Sequence, residues 1–162
     1  MVIVLMGAAG AGKTTVGCQL SQALRWPFLD GDDVHPLENI AKMRRDTPLT
    51  DEDRGPWIQA LRTSIAEWLE QGMSAVLTCS LLTHAYRDAV LADYEPHVKL
   101  VYLQATHALL HKRLTARTSH FAGVALLESQ MALLEEPTHA LTLDASQTPE
   151  RLVQTIRNTW NL

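Results

Sequence analysis

The sequence predicts a three-layer α/β/α fold built on a five-stranded parallel sheet. Three observations point there. Five short apolar segments recur at residues 2–6, 27–30, 75–79, 99–104 and 140–143, each bounded by turn or polar residues, as strands buried on both faces require. Helix-length amphipathic stretches separate them, and strands joined through helices pair in parallel. The first apolar run also leads straight into Gly7-Ala8-Ala9-Gly10-Ala11-Gly12-Lys13-Thr14, a glycine-rich phosphate-loop pattern that works only between a buried strand and a helix. The 162 residues suit one domain with a full core.

Taken in order, the strand at 2–6 runs through the loop into a helix at 13–25. After the strand at 27–30, helices are expected at 36–45 and 51–71. The latter is marked by a capping box, Thr50 with Asp53, by Trp57, Leu61, Ile65, Trp68 and Leu69 at helical spacing, and by Gly72 at its end. Further helices are expected at 83–92, 106–117 and 124–134, with a polar break at 118–123. Thr148-Pro149-Glu150 opens a last helix at 149–159 with proline at its first position. Ligands of such a sheet sit at the carboxyl ends of its strands.

The net charge of −4 argues against nucleic acid or an acidic membrane as the main partner. Between Glu95 and Glu128 the chain has no acidic residue but carries Lys99, Lys112, Arg113 and Arg117, which suits a segment meeting polyanionic phosphate. The two cysteines, Cys18 and Cys79, read as small buried hydrophobes, and neither has a histidine or cysteine at metal-ligand spacing. The apolar start is too short for a signal peptide and no segment is long enough to span a bilayer, so a cytoplasmic protein is expected.

The phosphate loop carries the chemistry. Its backbone N–H groups, from Gly7, Ala8, Ala9, Gly10, Ala11 and Gly12 to Lys13, Thr14 and Thr15, are expected to form one concavity for the phosphates of ATP. Lys13 reaches the β- and γ-phosphates and the Thr14 hydroxyl ligates Mg²⁺. The second strand runs into Asp30-Gly31-Asp32-Asp33-Val34-His35-Pro36. In an extended segment Asp30 and Asp32 point to one side, so that one orients Mg²⁺ and the other takes the proton of an attacking hydroxyl. The alternative is an Asp/Gly turn that caps the next helix. His35, held extended before Pro36, faces a substrate hydroxyl. Arg54 offers a rigid fork for a substrate carboxylate, or else pairs with Asp51. Arg113 and Arg117, four apart on one helix face, are expected to ride a flap that closes over ATP.

These segments together resemble the small P-loop gluconokinases, which phosphorylate D-gluconate on its 6-hydroxyl. The resemblance rests on Gly7 to Thr14; on Asp30 to Pro36 with Asn39, Lys42 and Met43; and on Pro48-Leu49-Thr50-Asp51-Glu52-Asp53-Arg54 with Pro56-Trp57. It continues through Cys79-Ser80, Tyr86-Arg87-Asp88, Arg113-Leu114, Arg117, His120, Phe121, Leu127, Ser129-Gln130, Leu134-Glu135 and Pro137. It implies the fold of shikimate and nucleoside monophosphate kinases, with an acceptor-binding region near 36–71 and a lid near 113–130. It also implies that Asp30 orients Mg²⁺ and that Asp32 contacts the acceptor hydroxyl as base. Gluconate then contacts His35, Lys42, Arg54, Ser80, Arg87 and the hinge residue His120. Adenine falls near residues 144–147, and a homodimer is common among such proteins. One departure stands out: the family usually reads Ser-Ala-Leu-Lys-Lys before Tyr-Arg-Asp, whereas Ser80-Leu81-Leu82-Thr83-His84-Ala85 precedes Tyr86 here. Two other readings are a shikimate kinase, which needs a glycine-rich turn after the third strand, and a catalytically silent nucleotide sensor.

Overall fold

The computed structural model describes residues 1–45, 47, 49–116 and 124–162. Five strands, β1 (Val2–Met6), β2 (Phe28–Asp30), β3 (Ala75–Thr78), β4 (Val98–Gln104) and β5 (Leu141–Asp144), form one sheet in the order β2-β3-β1-β4-β5. Every neighbouring pair is parallel. The helices are α1 (Lys13–Leu24), α2 (Leu37–Arg44), α3 (Asp51–Glu70), α4 (His84–Leu91), α5 (His107–Thr115), α6 (Val124–Leu133) and α7 (Pro149–Trp160).

The central strand explains the layering. All of β1 is buried, and its side chains alternate between two apolar faces. Ile3 and Leu5 pack with Val16, Leu20, Val101, Leu110, Leu152 and Ile156, beneath α1, α5 and α7. Val2, Val4 and Met6 pack with Trp57, Leu61, Ile65, Leu77 and Val90, beneath α3 and α4. Both layers are therefore written into one five-residue run.

Sequence signals at the helix ends are realised. Thr50 accepts the Asp53 N–H while the Asp53 carboxylate accepts the Thr50 N–H, a reciprocal capping box. Thr148 caps α7, with Pro149 in its first turn. Element limits shift by a residue or two, and Cys18 is half-buried rather than buried. One departure bears on the site. Residues Gly31–Val34 form a 3-10 turn, so the segment after β2 is not extended and side-chain alternation does not place Asp30 and Asp32 together. Asp30 instead caps the turn, accepting the Asp32 N–H at 3.1 Å, and this brings the two acids to neighbouring positions.

Register puts the chemistry at one edge. Asp30 lies opposite Thr78, and Thr78 opposite Leu5, so the carboxyl ends of β2, β3 and β1 finish level beside the phosphate loop.

Candidate active site

The loop leaves β1 after Met6 and enters α1 through Gly12, whose φ of +101° lies in the left-handed region that favours glycine. The first N–H groups of α1 thereby turn toward the loop's concavity. Lys13 folds back across it and donates to Gly7 O at 2.9 Å and Ala8 O at 3.2 Å. The Thr14 hydroxyl donates to Asp30 Oδ2 at 2.6 Å. A hydroxyl oxygen beside a single carboxylate is a hard-oxygen donor set. It suits Mg²⁺, which keeps most of its waters and shares phosphate oxygens. Among the described residues no cluster of three or more His, Cys, Asp or Glu could hold a metal alone.

Two cavities adjoin the loop. One, of about 340 Å³, is lined by Gly10, Ala11, Gly12, Thr15, Arg113, Ala145 and Gln147, with Pro149 and Leu152. Arg113 differs from its expected role here. It sits within α5, and its guanidinium is fixed on backbone carbonyls: Ala11 O at 3.1 Å, Gly10 O at 3.4 Å and Ala145 O at 2.8 Å. It ties the loop to the β5–α7 turn instead of riding a flap. Arg117 and His120 lie outside the described residues.

The second cavity, of about 380 Å³, lies across the loop. Its lining brings together Ala9, Lys13, Asp32, His35, Arg54 and Ser80, and adds Trp57, Leu81, Leu82, Tyr86 and Gln130. Of the expected acceptor contacts, Asp32, His35, Arg54 and Ser80 therefore converge. Lys42 and Arg87 do not line this cavity. Lys42 donates to both Asp53 carboxylate oxygens at 2.7 Å, and with the Thr50 amide it holds the Asp53 carboxyl down at about 2. Its place is a brace between α2 and α3. Arg87 is buried and donates to Leu81 O and Leu82 O, each at 3.1 Å, so it shapes the post-β3 loop from behind. Neither role was visible in sequence, because a motif position does not say which way a long cation turns.

Trp57, expected only as a core residue, fixes the turn that carries Asp32. Its indole N–H donates to Gly31 O at 2.8 Å, and its ring stacks on His35 with centroids 4.6 Å apart. Gly31 is pressed so close to β3 that a Cβ would stand 2.6 Å from Thr78 O. Both ends of the Asp32 turn are thus clamped.

His35 is neutral. Burial, and then the nearby Arg54 charge, lower its pKa to about 4. Its tautomer follows from Asn39. The Asn39 amide nitrogen must face Asp53 O, an acceptor 2.7 Å away, and so it also presents N–H to His35 Nδ1 at 3.3 Å. Nδ1 accepts and Nε2 carries the proton. Because the folded pKa lies below the ordinary 6.5, the unfolded chain binds a proton between pH 6.5 and 4 that the folded chain refuses. The stabilisation is complete above about pH 6.5 and drains as pH falls toward 4. We expect the thermal midpoint of the parent to fall more steeply across that window than that of His35→Gln. Parallel slopes would contradict a half-buried neutral imidazole.

Arg54 lies over the Tyr86 ring, 5.1 Å from its centroid, with Asp51 3.5 Å from its Nη1. Tyr86 donates to the same Asp51 oxygen at 2.8 Å. Arg54 pairs loosely with exposed Asp51 and still faces the cavity. The family's two usual lysines are replaced by Thr83, which caps α4, and by exposed His84, which pairs with Asp88. Leu81 and Leu82 form a buried apolar wall. Among the described lining residues the cations are therefore Lys13 and Arg54.

A phosphate loop flanked by a hydroxyl–carboxylate pair, with a second cavity holding an acid and a guanidinium, defines a P-loop phosphotransferase for small molecules. Comparison with known proteins agrees. The AAA domain family model matches residues 2–137. The chain is 41% identical over 152 residues to the probable gluconokinase of Xenopus tropicalis, covering 85% of this chain and 80% of that protein. A gluconokinase from Sinorhizobium meliloti superposes with a TM-score of 0.81 at 36% identity, covering 94% of this chain and 87% of that one. An unliganded sugar kinase from Janibacter sp. superposes with a TM-score of 0.90 at 36% identity, over 99% and 94% of the two chains. The chain belongs to the gluconokinase family.

Proposed function

We propose that the chain transfers the γ-phosphoryl group of ATP to the 6-hydroxyl of D-gluconate. The observation that carries this reading is the second cavity, where Lys13, Asp32 and Arg54 share one lining. ATP lies with its base beside Ala145 and Gln147 and its phosphates along the loop amides. Thr14 and Asp30 hold Mg²⁺, which neutralises phosphate charge when bound. Arg54 takes the gluconate carboxylate by its guanidinium fork, the neutral His35 and Ser80 meet its hydroxyls, and Asp32 faces the 6-hydroxyl. As O6 attacks phosphorus, the bond from the γ-phosphorus to the β–γ bridging oxygen breaks and the O6 proton passes to the Asp32 carboxylate. Lys13 stabilises the charge gathered on the equatorial and leaving oxygens. Arg117 and His120 keep the lid roles that the resemblance gives them. ATP as phosphoryl donor and two free thiols, Cys18 and Cys79, support a cytoplasmic setting, and no described helix is long and apolar enough to cross a membrane.

Leu81, in place of the usual small residue, narrows the cavity on its apolar side beside Leu82, and the loss of the two lysines at Thr83 and His84 leaves carboxylate recognition to Arg54. A shikimate acceptor fits less well, because β3 runs out through Thr78-Cys79-Ser80 without the glycine-rich turn that such a site uses after the strand. A coupled assay of ADP release with gluconate, with shikimate and with no acceptor tests the reading. Release is expected with gluconate alone. Tight ATP binding without acceptor-dependent release would support a nucleotide sensor instead.

A further inference from the structure

Gln130, on α6, reaches the phosphate loop: its Oε1 accepts the Ala9 N–H at 2.6 Å. That partner fixes the orientation of the carboxamide, because a backbone N–H only donates. The oxygen faces the loop, and the two N–H donors of Nε2 point away from it. Ala9 marks the place where the loop passes from one cavity to the other. Gly10, Ala11 and Gly12 line the nucleotide side, whereas Ala9 and Lys13 line the acceptor side, together with Gln130 itself. The amide at that boundary meets whichever end of a phosphate chain lies nearest the acceptor. Gln130 Oε1 and an oxygen of the terminal phosphoryl group therefore compete for one donor.

We propose that Gln130 distinguishes nucleoside triphosphate from diphosphate at this point, a role that rests on the kinase reading above. When the γ-phosphoryl group arrives, the carboxamide turns over, gives up the Ala9 N–H to one phosphoryl oxygen and offers its own Nε2–H to another. A carboxamide oxygen held in place would face phosphoryl oxygens of like partial charge. A half-turn replaces that repulsion with a donor, in the same footprint and without movement of the helix. The chain just beyond α6 is anchored independently of Gln130: Glu135 N–H donates to Leu82 O at 2.9 Å, and Glu136 accepts from Gln104 at 2.9 Å. A diphosphate lacks the group that reaches Ala9 and leaves the Gln130 contact intact.

Gln130→Glu separates this role from simple packing. Glutamate has the same shape and accepts from Ala9 equally well, but it has no donor to turn toward phosphate. The experiment measures dissociation constants of the full-length parent, Gln130→Glu and Gln130→Ala for Mg²⁺-ADP and for a non-hydrolysable Mg²⁺-ATP analogue, with gluconate-dependent kcat alongside. A hydrogen bond to a charged group contributes about 1.5–3 kcal/mol, or roughly ten- to a hundred-fold. Gln130→Glu is therefore expected to weaken the triphosphate analogue by at least about ten-fold and to lower kcat by a similar factor, while ADP affinity stays close to that of the parent. Gln130→Ala removes competitor and donor together, so its triphosphate affinity stays near the parent value while its kcat falls. A Gln130→Glu protein that matches the parent for both nucleotides, or that loses both affinities equally, overturns the proposal. Should gluconate fail as acceptor for the parent, the gluconate reading falls, and the ratio of triphosphate to diphosphate affinity still decides the role of Gln130.

Discussion

Replacing Lys13 with alanine is expected to abolish measurable phosphoryl transfer while the fold survives. Losing one neutral donor aimed at developing negative charge costs about 10²–10³ in turnover. The Lys13 ammonium is a full charge, and charge-assisted bonds are about twice as strong as neutral ones, so a loss of at least about 10³ in kcat is expected. The structural cost is small. The contacts that disappear include those with Gly7 O and Ala8 O, at the part-buried rim of the loop, where water can take the place of the ammonium. Backbone amides and the α1 N-terminus remain, so ADP should still bind. Thermal midpoint, ADP affinity and kcat measured on the same preparation test this directly. Activity within a few-fold of the parent would remove Lys13 from the mechanism.

Much of this architecture was legible because a buried parallel strand and its helix each carry a local signature. Val2 to Met6 is apolar at every position, and only burial on both faces explains that. The glycine pattern after it fixed what lies at the carboxyl end. Capping residues Thr50 and Thr148 marked helix starts to the residue. Legibility ended where long side chains choose among partners. Lys42 and Arg87 sit in the expected motifs, yet one braces Asp53 and the other supports the Leu81–Leu82 carbonyls. Arg113 reads as a mobile cation, yet three backbone carbonyls hold it. Trp57 carries the reverse lesson. Its helical spacing announced a core residue, and its indole N–H gave no sign in sequence that it would fix the turn holding Asp32. The acids themselves were found by a wrong route, since a 3-10 turn capped by Asp30, rather than strand alternation, brings them together.

That turn makes the two acids separable by experiment. Asp32→Asn keeps size and polarity and removes the proton acceptor. General-base contributions run to about 10²–10⁴, and a loss in that range is expected in kcat with gluconate, with the affinity for Mg²⁺-ATP nearly unchanged. Asp30→Asn should behave differently. Its remaining carbonyl oxygen can still accept the Asp32 N–H, now at 3.1 Å from Asp30 Oδ1, so the turn persists and Asp32 keeps its place. The change removes the charge beside the Thr14 hydroxyl, and the deficit should therefore appear as a raised Mg²⁺ requirement that excess Mg²⁺ partly overcomes. No concentration of Mg²⁺ should rescue Asp32→Asn, because the missing group acts on the hydroxyl proton rather than on the metal. If Mg²⁺ rescues both variants alike, both acids serve the metal and the base lies elsewhere. If Asp32→Asn turns over at nearly the parent rate, the 6-hydroxyl loses its proton without a protein base, as the loose transition state of phosphoryl transfer permits.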